Sequence, residues 1–175
     1  MVEFAGYYLP VQYPEGVKNE CLHTRSGASL FDVSHMGQVF ISGSVDPAPA
    51  LERIIPSDLR GMQNGQMRYT VLLNDEGGII DDLIVTRLSA TNFYIVINAA
   101  RIEQDIPRLQ SVLTGDLILK HDTTRILVAL QGPRAEGVMA GIFPEAIHLK
   151  FMQALEENDQ GHDIIITRSG YTGED

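Results

Sequence analysis

Alternating runs of apolar and polar residues predict strands in the middle of the chain. Met67–Leu73 is largely apolar and β-prone, as are residues 79–88, and a polar segment with two adjacent glycines, residues 74–78, separates them. Glycine reaches positive φ angles without a Cβ clash, so this segment is typical of a hairpin turn. A third β-prone run, residues 93–98, follows after a connection too short for a crossover helix. The pattern therefore predicts an antiparallel three-stranded meander.

A spacing of three to four residues between apolar positions predicts helices elsewhere. The predicted helices cover residues 14–27, 47–55, 99–113 and 133–140. In the first of them, Val17, Cys21 and Leu22 lie on one stripe. The third contains Pro107, and because proline disrupts a helix interior, this helix either begins near Asp105 or bends at the proline.

Shorter β-prone runs predict further strands at residues 38–42, 117–121, 125–130, 151–155 and 163–167. The run at 125–130 is almost wholly apolar, so we expect it to be buried on both faces. Residues 1–13 are rich in aromatic side chains. We expect them to pack on a core, and the alternative is that they form the lip of a ligand pocket. Strands and helices that mix around an antiparallel sheet predict an α+β fold.

Composition excludes several classes of protein. The 175 residues are 44% hydrophobic and 21% charged, which is typical of a folded globular chain. The formal net charge is −10 and no cluster of Lys and Arg occurs, so the basic surface of a nucleic-acid-binding protein is missing. No apolar run approaches the roughly 20 residues that span a membrane, and residues 1–4 do not resemble a signal peptide. The single cysteine, Cys21, excludes an intramolecular disulfide and a cysteine-rich zinc site, and favours a reducing compartment.

The common sequence motifs of nucleotide-binding proteins and hydrolases do not occur in the chain. The sequence contains neither a P-loop nor a glycine-rich dinucleotide fingerprint. Asp32, Ser34 and His35 lie close together in sequence. Members of a catalytic triad meet through the fold rather than as near neighbours on one segment, and no Gly-x-Ser-x-Gly elbow is present. We therefore do not interpret these three residues as a triad.

Two adjacent carboxylates, Asp81 and Asp82, interrupt the second strand of the predicted hairpin. Neighbours on a strand point to opposite faces, so one of the pair can face inward. An inward carboxylate among aliphatic residues needs a partner, and desolvation raises the pKa of such a group, which suits acid–base chemistry on a bound amine. The alternative is that the pair only closes the hairpin by accepting hydrogen bonds from turn amides.

Four segments closely resemble the aminomethyltransferase (T-protein) family of the glycine cleavage system. They are residues 30–37 (Leu-Phe-Asp-Val-Ser-His-Met-Gly), 74–83 (Asn-Asp-Glu-Gly-Gly-Ile-Ile-Asp-Asp-Leu), 96–100 (Val-Ile-Asn-Ala-Ala) and 169–175 (Ser-Gly-Tyr-Thr-Gly-Glu-Asp). The resemblance runs through the whole chain in the same order. The wider family includes folate-binding halves of sarcosine and dimethylglycine dehydrogenases and iron–sulfur assembly relatives. Asp81-Asp82 together with Gly-Tyr-Thr-Gly-Glu favours the T-protein branch.

The resemblance implies an enzyme that takes an aminomethyl group from the lipoyl arm of the H-protein. The carbon passes to tetrahydrofolate as co-substrate, ammonia is released, and methylenetetrahydrofolate forms. The resemblance implies Asp82 as the catalytic residue. The folate contacts that it implies are Met36, Tyr69, Asp82, Val96, Asn98 and Glu174. It implies no metal ion and neither a nucleic-acid nor a membrane partner, with a location in the cytoplasm of a bacterium or the mitochondrial matrix of a eukaryote.

The chemistry of these side chains suits a folate. The Glu174 carboxylate can accept a pair of hydrogen bonds from the pterin, and Met36 and Tyr69 can line its apolar faces. Asp82 would lie where the amine nitrogens approach. There it would steer protonation of the leaving ammonia or stabilise an iminium ion.

The resemblance also implies a ferredoxin-like folate-binding architecture in more than one domain. Residues 1–40 with 125–175 are expected to form part of a first folate-binding domain, and residues 41–124 a second α+β domain. Members of the family are about twice this length and have a downstream domain, so we expect this chain to be a fragment of a larger three-domain enzyme and inactive alone. Thr86 stands where relatives often have a tyrosine, so a stacking contact is expected to be missing.

Two other interpretations stay open at this point. A folate-binding module of a related protein, without transferase activity, would hold a folate in the same pocket and would use Asp82 only structurally. A purely structural domain would need neither a folate nor a catalytic Asp82. A downstream domain with arginines that face this pocket would support the enzyme.

Overall fold

The computed structural model of the chain describes residues 1–170; residues 171–175, among them Glu174, lie outside the described part. The strands of that part are β1 (Val2–Phe4), β2 (Tyr7–Leu9), β3 (Ser29–Asp32), β4 (Gly37–Ser42), β5 (Met67–Leu73), β6 (Ile79–Ser89), β7 (Asn92–Ile97), β8 (Ile118–His121), β9 (Val128–Gln131), β10 (Gln153–Asp159) and β11 (His162–Arg168). The α-helices are α1 (Gly16–Ser26), α2 (Ala48–Leu51), α3 (Ile102–Gln110) and α4 (Ala135–Ile142), and short 3₁₀ helices cover Ala99–Arg101 and Pro144–His148.

A five-stranded antiparallel sheet in the order β5-β6-β7-β4-β8 forms the centre of the fold. The predicted hairpin and meander are confirmed as β5, β6 and β7. Asn74 closes the hairpin turn, because its Oδ1 accepts hydrogen bonds from the backbone N–H of Glu76 and of Gly78. Strands β4, β6, β7 and β8 with α2 and α3 give the β-α-β-β-α-β succession of ferredoxin-like folds, and β5 adds an edge strand. The α+β prediction is therefore confirmed.

The main hydrophobic core covers one face of this sheet. Alternate residues of the strands point into it, which is the pattern of a sheet with one buried face. They are Val39, Ile41, Leu72, Leu83, Val85, Phe93, Ile95 and Ile97. Leu51 of α2 and Leu109 of α3 pack on them from the helical layer. Helix α3 begins at Ile102 and continues through Pro107, so it does not begin near Asp105.

A smaller cluster covers part of the opposite face. Leu88, Tyr94 and Val96 form it, and Met36, Phe40, Leu127 and Ile165 pack against them. Within this layer, the phenol of Tyr94 donates a hydrogen bond to Gln38 Oε1 over 2.9 Å. Because the cluster lies between the sheet and the chain around β9 and β11, it ties residues distant in sequence to the centre of the fold.

The remaining strands form three two-stranded sheets, β1-β2, β3-β9 and β10-β11. The expectation that residues 125–130 are buried on both faces is wrong, since Ile126 is 78% exposed and lies before β9, which pairs with β3 alone in the described part. The expected burial of residues 1–13 on a core is also wrong, because Tyr8 is 71% exposed. In α1 only Thr24 is buried, and the apolar stripe with Val17 faces outward. In each case no second layer of the described residues covers the apolar side chains.

The two-domain division of residues 1–40 with 125–175 and residues 41–124 stays a prediction. An isolated antiparallel bridge between Gln66 and Gln153 joins the beginning of β5 to the beginning of β10. Its two hydrogen bonds run from the N–H of Met67 to the carbonyl of Met152 and from the N–H of Ala154 to the carbonyl of Gly65. Among the described residues, no helix combines the length and the apolar character needed to cross a membrane.

Candidate functional site

A cavity of about 810 Å³ lies beside the beginning of β6 and the end of β7. This volume falls in the range of about 300–1,000 Å³ that is typical of small-molecule sites. Its apolar and aromatic lining includes Phe4, Val33, Met36, Tyr69, Phe151 and Met152. Its polar lining includes His35, Asp81, Asp82, Asn98, Arg101 and Ser169. The cavity therefore combines flat apolar walls with a small group of carboxylates and an amide.

Asn98 connects the two carboxylates. Leu83 of β6 pairs with Ile97 of β7, so Asp82 and Asn98 meet one step beyond that pair. The Asn98 Nδ2 atom lies 3.1 Å from each carboxylate oxygen of Asp81, 3.3 Å from Asp82 Oδ1 and 3.0 Å from the Asp82 carbonyl oxygen. The two N–H groups of this amide are thus shared among acceptors of both aspartates, and they hold the pair in one arrangement.

Tyr69 holds the other side of Asp82. Tyr69 lies opposite Ile84 in the β5–β6 pair, so strand alternation places its side chain on the same face as Asp82. Its hydroxyl donates to Asp82 Oδ2 over 2.9 Å. This hydrogen bond, together with the nearby charge of Asp82, raises the pKa of Tyr69. Each oxygen of the Asp82 carboxylate therefore accepts from a different side chain at the cavity wall.

The alternative role of the carboxylate pair in closing the hairpin is wrong. The turn amides of Glu76 and Gly78 donate to Asn74 instead. Strand alternation puts Asp81 on the face of Leu83, towards the main core, and Asp82 on the opposite face. Both aspartates are half-buried and reach the cavity because they stand near the beginning of β6.

Asp105 of α3 approaches Asp81 from the helical layer and was missed by the sequence reasoning. Asp105 is fully buried, and no N–H or hydroxyl of the described residues donates to either of its carboxyl oxygens. Burial raises the pKa of Asp105 to about 7, and the hydrogen bond to Asp81 and its charge act in the same direction. Asp105 lies three residues after Ile102 and four before Leu109, and residues at this spacing share one face of a helix. This spacing is the sequence signal that could have predicted its burial.

The structure brings most of the predicted site residues together. Met36, Tyr69, Asp82 and Asn98 all line the cavity. Val96 does not line it: its side chain is 8% exposed and lies in the smaller hydrophobic cluster. Glu174 lies outside the described residues. The roles of these residues in folate binding and catalysis stay predictions.

Two further expectations bear on the cavity walls. Thr86 is 1% exposed and is not among the lining residues. Phe4 lines the cavity and meets the His35 ring edge-on, with ring centroids 6.1 Å apart, so the alternative placement of residues 1–13 as the lip of a pocket fits the structure. Asp32 accepts from the Ser34 N–H, and the Ser34 hydroxyl bonds the backbone of Leu127, so this segment is tied to the fold.

A second concave region, of about 770 Å³, lies between α1 and β3. None of the predicted site residues lines it, and its walls are formed by α1, by residues 29–31 of β3 and by Val11 and Tyr13 before the helix. Within residues 1–170, no cluster of histidine, cysteine, aspartate and glutamate side chains is arranged to hold a metal ion. The candidate site is therefore the cavity around Asp82.

Comparisons with known proteins give consistent results. The family described as the GCVT N-terminal domain matches residues 1–175. The aminomethyltransferase of Exiguobacterium sibiricum is 37% identical over 177 residues, which cover 100% of this chain and 49% of that protein. The mitochondrial aminomethyltransferase of Dictyostelium discoideum is 37% identical over 185 residues, covering 100% of this chain and 45% of that protein.

A solved structure agrees with these relatives. The crystal structure of glycine cleavage system aminomethyltransferase T from Bartonella henselae superposes with a TM-score of 0.88 at 40% identity. The superposition covers 99% of this chain and 47% of that chain. The chain spans about half the length of the curated relatives it matches.

Proposed function

The chain belongs to the GCVT N-terminal domain family, and from that premise we propose that its protein is the aminomethyltransferase of the glycine cleavage system. The resemblance to the T-protein family is confirmed by the relatives and by the solved structure. In the proposed reaction, the lipoyl arm of the H-protein presents an aminomethyl group. Its carbon passes to tetrahydrofolate as its bonds to the lipoyl sulfur and to the amine nitrogen break, so that a thiol stays on the lipoyl arm, ammonia is released and methylenetetrahydrofolate forms.

The shape and lining of the cavity support a folate as the ligand. A pterin is a flat ring system, and flat rings gain most from contact with aromatic faces and polarizable sulfur. Tyr69, Met36 and Phe151 supply such contacts along the walls. Arg101 adds a positive charge at the wall of a chain whose formal net charge is −10, which favours an anionic part of the ligand there.

The observation that carries the proposal is the fixed carboxylate of Asp82. Tyr69 and Asn98 hold its two oxygens, so the charge cannot swing away from the cavity when an amine enters. A carboxylate fixed in this way stabilises positive charge that develops on the aminomethyl nitrogen, without the cost of reorienting during the reaction. It would steer protonation of the leaving ammonia or stabilise an iminium ion. Asp81, on the other face, supports Asn98.

Asp82→Asn tests this assignment in the complete protein that carries the chain. The substitution keeps the shape and removes the charge, so we expect turnover to fall by at least about 10²-fold. Tetrahydrofolate affinity, measured by calorimetry, should change far less, because the charge acts mainly in the transition state. Glu76→Gln, exposed in the neighbouring hairpin turn, is the matched control and should keep full turnover.

Asp81→Asn completes the comparison. Its amide oxygen can still accept from Asn98, so we expect a much smaller loss of turnover than in Asp82→Asn. A larger loss in Asp81→Asn would invert the assignment of the two faces. Full turnover in Asp82→Asn would remove the catalytic role of this carboxylate. If folate bound but no transfer occurred in the unaltered protein, a folate-binding module without transferase activity would be the better description.

A further inference from the structure

Asp105 is an ionisable group beside the site that the proposed reaction does not use. It is 0% exposed, on the side of α3 that faces the sheet, between Ile102 and Leu109. In the described part of the chain no N–H or hydroxyl group donates to its carboxyl oxygens. A buried carboxylate without a donor is strongly disfavoured, so such a group takes up a proton instead.

Among the groups around Asp105, the carboxyl of Asp81 lies in hydrogen-bonding contact with it. Two ionised carboxyl groups are acceptors only, so a hydrogen bond between them exists only when one of the two carries a proton. The charged groups that face Asp105 are Asp81 and Asp82 from β6 and Arg101 from the 3₁₀ turn before α3. Burial and the two aspartates raise the pKa of Asp105 to about 7, while Arg101 acts in the opposite direction.

The same Asp81 carboxyl meets the cavity on its other side. Both of its oxygens lie 3.1 Å from Asn98 Nδ2, and that nitrogen lies 3.3 Å from Asp82 Oδ1. A continuous row of polar contacts thus runs from the buried Asp105 through Asp81 and Asn98 to Asp82. If the Asp105–Asp81 pair lost its proton, the two carboxylates would repel each other, and Asp81 would move relative to the Asn98 amide.

We propose that Asp105 is a positioning residue: it shares a proton with Asp81, and this proton holds Asp81 and the Asn98 amide in the orientation that presents Asp82 to the cavity. The effect on turnover rests on the proposed function. The shared proton itself does not depend on the proposed function, because it follows from contacts within the chain. Asp105→Asn should mimic the protonated acid, since its amide donates to Asp81 at any pH and has the same shape.

A spectroscopic experiment tests the shared proton without any activity. Infrared difference spectra of the unaltered chain should show the band of a protonated carboxylic acid at about pH 6, and the band should fade as the pH rises to about 9. The band should be missing in Asp105→Asn and retained in Glu103→Gln, which changes an exposed carboxylate on the same helix. The side-chain amide signals of Asn98 in NMR spectra should shift with the same midpoint.

The pH profile of kcat then tests the positioning role in the complete protein. In the unaltered protein kcat should fall on the alkaline side as the Asp105–Asp81 pair loses its proton. Asp105→Asn should keep kcat within about threefold at pH 6 to 7 and should lack that alkaline fall. Asp105→Ala leaves Asp81 without its partner, so kcat should drop by up to about 10²-fold while the KM for folate changes little.

Three results would overturn the inference. They are an infrared spectrum without a band that depends on Asp105, an alkaline fall that persists in Asp105→Asn, and equal losses of kcat in folded Asp105→Asn and Asp105→Ala. If the protein transferred no aminomethyl group while the infrared band and the Asn98 signals behaved as expected, the proposed function would be overturned and the shared proton supported.

Discussion

Replacing Asp105 by asparagine should change how the stability of the chain depends on pH. The pKa of Asp105 is about 7 in the folded chain, against an ordinary value of 3.8. The folded state therefore keeps this proton at pH values where the unfolded state has already lost it. The stabilising contribution is fully present below about pH 4 and is lost as the pH rises through about 7. In Asp105→Asn this loss cannot occur.

The size of the effect follows from the difference between the two pKa values. A pKa difference of one corresponds to about 1.4 kcal/mol, so the full loss is roughly 4 kcal/mol at most. Local relaxation around a buried charge reduces this amount, and we expect the free energy of unfolding of Asp105→Asn, relative to the unaltered chain, to increase by about 2–4 kcal/mol from pH 4 to pH 8. A hydrogen bond from Thr124 lowers the pKa of Asp122, so the stabilising contribution of Asp122 is lost as the pH falls. Because this loss is the same in Asp105→Asn and in the unaltered chain, it cancels in the difference between them.

Urea unfolding at pH 4, 6 and 8 measures this difference. Far-ultraviolet circular dichroism is the suitable signal because the chain contains no tryptophan. Glu103→Gln, on the exposed side of α3, should show no change in the difference with pH. The reasoning is refuted if the advantage of Asp105→Asn stays constant within about 0.5 kcal/mol from pH 4 to pH 8, or if it shrinks as the pH rises.

Three further substitutions test the fold and the role of the cysteine. Gly132 has a φ of 118°, and a Cβ there would meet the carbonyl oxygens of Thr24 and Gly27, so Gly132→Ala should lower the free energy of unfolding by about 1–3 kcal/mol. Gly137→Ala in α4, where nothing lies within 4 Å of an added Cβ, should instead raise it by about 0.5–1 kcal/mol in the same urea titration; a loss there as large as in Gly132→Ala would contradict the argument. Cys21 is exposed on α1 and does not line the cavity around Asp82, so Cys21→Ala should keep turnover; a loss beyond about tenfold in a folded variant would assign it a role.

The meander was predictable because its information is local. Alternation fixes the strand faces, and the glycine pair marks the turn between β5 and β6. The contact between Tyr69 and Asp82 was not predictable in the same way, since it depends on the register that places Tyr69 opposite Ile84. The resemblance named both residues, but only the pairing explains why the hydroxyl of Tyr69 reaches the carboxylate of Asp82.

The misplaced segments have a common cause. Apolar side chains such as Val17 in α1 and Ile126 before β9 indicate that a surface is to be covered, but not which element covers it. Both residues are exposed in the described part of the chain. Asp105 was missed for the opposite reason, because an aspartate in a helix is normally expected to face solvent. Its burial depends on the packing of α3 against the sheet, which brings it to Asp81.

The location of the site in the meander has a consequence for how the chain folds. Tyr69 and Asn98 reach Asp82 across only 13 and 16 residues of chain. By contrast, the Ser34 hydroxyl meets the Leu127 carbonyl across 93 residues, and β3 pairs with β9 over a similar span. Closing a long loop costs more entropy than closing a short one, and non-local pairs form slowly. The carboxylate and its two donors are therefore expected to assemble early, before the long-range pairs bring the rest of the cavity wall into place.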